Sequence, residues 1–455
     1  MNALRTRWWW ALTVLALLAV VPFTEYRDLF LTTFVANLVA YGHWNVYQYL
    51  STHPAYEHIH SIMPPLYYLA YGGYLALLRL VHLDPLPQRP VPLLSIHHFL
   101  YPPVPFPLFG HLYGPAVWAG LILLKLPYLA VLFIGAAGMA RLAGRLGVNP
   151  QMARWWWIAS PIVWMASFIQ GQLDIVPAVV TVWALVVWSP KKPWGTLALL
   201  GLAACLKDYA LILVPVTAVY LGRPHLGRIV AYAAVGTAPF VAVALPYLGH
   251  AFVSRALLMK FSGGLLSEVQ LSVRPVHLWA VAYGALLVLA WFAARRSEDR
   301  AGEDRADDPR FMLLVLWVLT LGSIFILGYW LPNFVVWLVP FTTLLAVRSG
   351  RYAIGWVLAN ELFLLDNFLT YAHNLDGSVL QPIFHAAPVV ALSTLATERG
   401  VDFVYTLSWV ALAVVIGWAW WERQDAHPTP PPWSGLWASW LLMGGYLAIM
   451  VAQHV

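Results

Sequence analysis

The chain has 455 residues, 61% hydrophobic and only 10% charged, with a mean hydropathy of +0.70. A soluble domain carries about one quarter charged residues, so this composition excludes a water-soluble globular protein and makes the bilayer the solvent. The net charge of +6 comes from basic residues scattered between apolar runs, with no patch or motif for nucleic acid.

At the N-terminus, Arg5 and Arg7 precede an apolar run at 8–23. No small-x-small cleavage pattern stands before Thr24, so an uncleaved first span is expected. Glu25 and Asp28 follow at once, in Phe23-Thr-Glu-Tyr-Arg-Asp28-Leu. An acid at a membrane mouth needs a reason. Asp28 either caps the helix-like stretch Leu29–Tyr41 or works as a base, and the two roles are compatible.

Residues 24–111 read as a first extracytoplasmic loop, longer than a plain connection requires. Within it, Leu29–Tyr41 and Leu66–Leu80 are helix-like, and 84–107 is too proline-rich for a regular helix. Interrupted apolar segments of this kind are expected to lie in the interface, anchored by some of the chain's 25 Trp and 22 Tyr. Eight histidines fall in this loop: His43, His53, His58, His60, His82, His97, His98 and His111. None has metalloenzyme spacing, so interfacial or packing roles are expected, with no metal and no cofactor.

Further apolar runs follow near 112–139, 155–170, 174–189, 194–206, 209–221, 229–248, 276–294, 311–328, 333–347, 352–369, 402–421 and 435–452. With the first run they make about 13 spans of roughly 20 residues each, several of them short. Alternating them from an inside N-terminus puts Arg141, Arg145, Arg154, Lys191, Lys192, Arg223, Arg228, Arg295, Arg296, Arg348, Arg351 and Arg423 on one side. The opposite loops carry far fewer cations, as cytoplasmic retention of positive charge requires. The mixed-charge run at 295–310 then falls inside. The expected architecture is one all-α polytopic membrane domain over 1–455. Cys205, the single cysteine, lies in an apolar run, which excludes a disulfide framework.

Polar groups concentrate where the outer ends of spans meet. Gln170, Gln172 and Asp174 occupy a tight hairpin in Phe168-Ile-Gln-Gly-Gln-Leu-Asp174, either a polar turn or a set of hydrogen-bonding groups for a hydroxylated ligand. Lys207 stands between two spans in Cys205-Leu-Lys207-Asp208-Tyr209. It could neutralise a phosphate, pair with Asp208, or snorkel outward. The outer loop near 249–275 supplies His250, Arg255, Lys260 and Arg274, suited to a lipid-linked phosphate or to headgroup anchoring.

In order, these features resemble the GT-C superfamily of polytopic glycosyltransferases. An acid follows the first span in Arg27-Asp28-Leu, and the long first loop carries Gly42-His-Trp-Asn-Val-Tyr47 and Met63-Pro-Pro-Leu-Tyr67. Gly171-Gln-Leu-Asp174 resembles the family's GQxD hairpin. Lys207-Asp-Tyr-Ala-Leu-Ile-Leu-Val-Pro215 resembles its lysine-to-proline segment, and Leu331-Pro-Asn-Phe-Val-Val-Trp-Leu-Val-Pro340 a helix of mannosyltransferase-like members. The chain departs from the pattern at Asp208-Tyr209, at Asn333-Phe334 and in having no DxD pair in its first loop.

The resemblance implies an inverting hexosyltransferase at the plasma membrane. Its donor is a polyprenyl-phosphate-linked sugar, with mannose slightly favoured, and its acceptor a lipid-linked or glycan hydroxyl on the extracytoplasmic face. On this reading Asp28 is the general base, with Glu25 as its substitute or a substrate contact. Lys207 and one of Arg255, Lys260 or Arg274 hold the phosphate, and Gln172 and Asp174 orient sugar hydroxyls. His250 and His277 are unassigned helpers. Membrane lipids are the other partners, and no nucleic acid is expected. The alternative is a lipid-linked sugar flippase, although no internal repeat of the transporter kind is present.

Overall fold

A computed structural model describes residues 27–53, 63–83, 115–189, 192–254, 268–271, 274–299, 308–327 and 332–348, besides Val21 and Leu362. The expected first span and the three expected after residue 351 lie outside the described residues, apart from Val21 and Leu362.

The described residues of the 24–111 segment form three helices: α1 (Arg27–Ala40), α2 (Val46–Thr52) and α3 (Pro65–Leu80). Local chemistry sets their starts. Asn45 caps α2 by accepting the Gln48 N–H at 3.1 Å. Extended Pro64 and Pro65 open α3, because proline is pre-set for the first helical turn. Helices α1 and α3 pack on each other at Gly72, where a Cβ would meet the Ala36 carbonyl at 2.5 Å and Val39 Cβ at 2.6 Å. Small residues at a crossing allow this approach of backbones.

The long helix α4 (Pro115–Arg145) contains Pro127, which has no N–H to give the carbonyl of Leu123. Tyr74 on α3 supplies the missing donor, its hydroxyl reaching Leu123 O at 2.6 Å. Tyr71 donates to the neighbouring Leu124 O at 2.8 Å. These two bonds tie α3 to α4 beside the proline.

The run expected at 155–170 is broken. α5 (Pro150–Ile158), capped by Asn149, ends before Ser160, and α6 (Pro161–Trp164) restarts and passes into a π-helical turn, Met165–Ile169. Pro161 causes the break, since it cannot donate within the helix and biases Ser160 toward extended backbone. Trp164 Nε1 takes up the loose Ile158 carbonyl at 2.6 Å. The chain continues through α7 (Ile175–Val187), α8 (Trp194–Leu206), a 3-10 turn (Asp208–Ile212), α9 (Leu213–Gly222) and α10 (Leu226–Ala244). A second 3-10 turn, Leu245–Tyr247, leads to the single helical turn α11 (His250–Phe252).

Among the described residues, one two-stranded antiparallel hairpin interrupts the helices. β1 (Glu268–Leu271) pairs with β2 (Arg274–His277) in the register Glu268 to His277. Then come α12 (Leu278–Asp299), α13 (Pro309–Leu327), a 3-10 turn (Pro332–Trp337) and α14 (Val339–Arg348). Apart from the hairpin, the regular structure among the described residues is helical, as the sequence led us to expect.

The core lies where α4, α5, α7 and α14 meet, with Trp156, Trp157 and Phe341 fully buried and the buried Trp317 of α13 edge-on to Phe341 at 5.7 Å. Around it, α8 packs on α7 and α10. Two described helices are long and apolar enough to cross a bilayer: Trp118–Arg145 and Leu226–Tyr247. The second is only 11% buried over its most apolar stretch. Leu226, Val230, Val241 and Leu245 point outward from it, which suits lipid and not a soluble core.

Candidate active site

The site is built on the hairpin between α6 and α7. The π-helical turn ends with Gln170 N–H on Met165 O (2.9 Å) and Gln172 N–H on Ala166 O (2.7 Å). Between them Gly171 turns the chain at φ +67°, and a Cβ there would meet Leu29 Cβ at 2.9 Å. Leu29 directly follows Asp28 in α1. The packing of Gly171 on Leu29 thus brings the acid-bearing turn of α1 beside the polar hairpin, two segments more than a hundred residues apart in sequence. The helix begins at Arg27, so Asp28 is the second residue of its first turn; the side chain of Asp28, and all of Glu25, lie outside the described residues.

All three polar hairpin residues are buried: Gln170, Gln172 and Asp174. Asp174 holds the N-cap position of α7, yet its side chain makes no capping bond. Its Oδ1 instead accepts Lys207 Nζ at 2.5 Å and Trp337 Nε1 at 2.6 Å. Lys207 is buried at the break between α8 and the 3-10 turn, in extended backbone (φ −154°, ψ 124°). Its ammonium lies 4.4 Å from the Phe334 ring centre and 5.2 Å from that of Trp337, a cation–π setting. Tyr209 stacks on Trp337 with centroids 3.6 Å apart. Lys207 therefore reaches across 33 residues to Asp174 and does not pair with Asp208 or snorkel. Of its three N–H donors, one serves Asp174.

Three motif pieces converge here: the Asp174 hairpin, the Lys207 segment, and the Pro332–Trp337 turn with Phe334 and Trp337. The first-loop pieces also meet one another. Tyr47 donates to Met63 O at 2.6 Å and packs edge-on against Phe252 at 4.8 Å. Burial, more than the neighbouring Tyr68, Tyr247 and Asp208, holds the Tyr47 phenol well above its usual range. Tyr67 on α3 stands close to Thr32, Tyr128 and the Asp174 charge, and burial pushes its phenol up to about 12. The hydroxyls of Tyr67, Tyr128 and Tyr209 have no hydrogen-bond partner among the described residues.

His250 opens α11 and is exposed, and its turn meets α2 through Phe252 and Tyr47. Arg255 and Lys260 lie outside the described residues. Arg274 and His277 are described only as backbone in β2, at opposite ends of the strand. Among the described residues no three His, Cys, Asp or Glu come together as metal ligands. Of the loop histidines, His53 hydrogen-bonds Tyr49 O through Nδ1 at 2.7 Å, and the His43 ring lies tilted against Tyr49 with centroids 4.2 Å apart.

Sequence reasoning missed Lys125. This lysine lies in the first half of α4, buried to 1% exposure, and donates to Phe168 O at 2.7 Å and Val21 O at 3.2 Å. The available signal was a single charge inside the apolar run at 112–139.

Comparison with known proteins adds a class. Residues 107–223 match the family model described as "Alpha-(1->6)-mannopyranosyltransferase, N-terminal domain". That stretch is about a quarter of the chain and contains Lys125, the hairpin and Lys207. Among solved structures, ArnT from Cupriavidus metallidurans bound to undecaprenyl phosphate aligns with 13% identity and a TM-score of 0.47, covering 100% of this chain and 77% of that one. The same protein in its apo state aligns with 15% identity and a TM-score of 0.45, covering 99% and 78%. No curated protein matches. The ordered motifs and the family model meet on one class, a membrane glycosyltransferase resembling the GT-C superfamily, with its mannopyranosyltransferase-like segment at residues 107–223.

Proposed function

We propose that the protein transfers a hexose, most simply mannose, from a polyprenyl-phosphate carrier to a hydroxyl of a lipid-linked or glycan acceptor. The observation that carries this reading is the seating of Gly171 on Leu29, which sets the Asp28 turn against a buried hairpin bearing Gln170, Gln172 and Asp174. The mannopyranosyltransferase match over the same hairpin supports the choice of sugar.

In the proposed reaction the acceptor oxygen attacks the anomeric carbon as the bond from that carbon to the phosphate oxygen breaks. The electron pair leaves with the phosphate, and the acceptor proton passes to the Asp28 carboxylate. One displacement inverts the anomeric centre. A lipid phosphate is already a stable anion, so its departure needs cations more than a metal. General-base help from one placed carboxylate is worth about 10²–10⁴-fold. Glu25 is the reserve base. Lys207 would offer its two remaining N–H donors to the phosphate, alongside Arg255, Lys260 or Arg274, with His250 near the same loop. Gln172 and Asp174 would orient sugar hydroxyls.

The same proposal places the 24–111 segment and the site on the extracytoplasmic face of the plasma membrane, about 13 spans in a single domain, and 295–310 in the cytoplasm. The test is transfer by purified protein from radiolabelled polyprenyl-phosphate mannose to an acceptor lipid extract. Labelled product of inverted anomeric configuration is expected. Retention of configuration would contradict the single displacement. Absence of transfer from any polyprenyl-phosphate sugar would turn the reading toward a flippase.

A further inference from the structure

Lys125 takes no part in the chemistry above, and it lies at a depth where a charge is costly. Polar groups inside a span are held by close partners and mark functional interiors. Two of its partners are main-chain carbonyls that belong to different pieces of the site. Phe168 is in the π-helical turn that feeds Gln170-Gly171-Gln172. Its carbonyl is among the last of a helix that Gly171 turns away, so it has lost the helical donor that would follow. Val21 is the described residue that precedes the Glu25–Asp28 stretch.

The position of the ammonium is itself fixed. Tyr71 and Tyr74 grip the carbonyls of Leu124 and Leu123 at 2.8 and 2.6 Å, immediately before Lys125, so α3 holds this part of α4. A lysine ammonium carries three tetrahedral donors and can bridge carbonyls from separate segments, which an apolar side chain cannot.

We propose that Lys125 is a positioning residue for the transfer reaction, its ammonium tying the acid-bearing end of the first span to the polar hairpin at one separation. The inference rests on the function proposed above. Lys125 contacts neither donor nor acceptor. It sets where Asp28 stands relative to the hairpin that holds the sugar, and misplacement of a reacting group by about an ångström costs turnover on the order of a hundredfold.

The test compares the full-length protein in detergent with Lys125→Met, which keeps length and loses the donors, and Lys125→Arg, which keeps them. Turnover, donor KM and amide hydrogen exchange are read together. The expected result for Lys125→Met is a kcat at least about tenfold lower, a donor KM within about twofold of wild type, and faster exchange at 165–174. Lys125→Arg is expected to recover part of the kcat and of the protection. A donor KM that rises in step with the loss would overturn the proposal, because it would place Lys125 on the phosphate. An unchanged kcat with only a lower melting temperature would overturn it too, leaving a folding role. Should Lys125→Met fail to fold, Lys125→Gln keeps two N–H donors and carries the same comparison; failure of both to fold also overturns it. An inactive wild type would sink the function proposed above. The exchange comparison then decides the tie alone: faster exchange at 165–174 in Lys125→Met upholds it, and unchanged exchange refutes it.

Discussion

The two buried lysines that converge on the hairpin differ in what they hold. Lys207 gives its ammonium to a carboxylate, Asp174, under the faces of Phe334 and Trp337. Lys125 donates to two peptide carbonyls, Phe168 O in the turn that leads into the same hairpin and Val21 O. The difference is instructive. A buried ion pair adds little net stability, because desolvation of both charges offsets their attraction, but either charge left alone is expensive. A lysine on carbonyls has another consequence: its removal frees two chain segments from each other and strands no second charged side chain at those two contacts.

The largest effect is therefore expected on the Lys207 side. Asp174→Ala leaves a buried ammonium without its carboxylate and should destabilise the fold by about 3–5 kcal/mol. The double variant Asp174→Leu with Lys207→Met should recover most of that stability while remaining inactive. A double variant as unstable as the single one would show that the pair itself holds the fold together. Thermal unfolding in detergent reads both.

Gly171→Ala should follow. Its left-handed backbone and its 2.9 Å approach to Leu29 Cβ together cost about 2–4 kcal/mol. Relief of the clash must move the hairpin away from α1, so turnover should fall further than stability alone explains. Transfer at the wild-type rate in folded Gly171→Ala would break the link between Leu29 packing and the site.

Trp337→Phe keeps most of the stacking on Tyr209 but loses the 2.6 Å bond to Asp174, worth about 1.5–3 kcal/mol for a charged acceptor. The smallest effect belongs to a site remote from the hairpin. Asn149→Ala removes the bonds to Gln151 N and Met152 N at the start of α5 and should cost about 1 kcal/mol. Turnover per folded molecule should be unchanged there, which separates stability from positioning.

Much of the helical layout was legible because its signals are local. Asn45, Pro64-Pro65 and Asn149-Pro150 mark starts that depend on a residue and its next few neighbours, and α1 and α3 match the expected Leu29–Tyr41 and Leu66–Leu80 within a few residues. The expected run at 155–170 failed where Pro161 overrode its apolar pattern, and hydropathy registers no missing N–H. The hairpin at 170–174 was legible as a polar cluster at a turn. Its partner was not, since nothing local says that Lys207 chooses Asp174 across two helices over the adjacent Asp208. Lys125 was hidden for the opposite reason: one charge scarcely alters the hydropathy of a long span, and its partners are carbonyls, which carry no side-chain signature.

The measurement that tests the account most directly compares wild type with Asp28→Asn in one assay of mannose transfer from the polyprenyl-phosphate donor, with donor binding read alongside. The account predicts that the variant folds, binds donor as wild type does, and loses about 10²–10⁴-fold in turnover. Wild-type turnover in folded Asp28→Asn would contradict it and would move the base to Glu25 or Asp174.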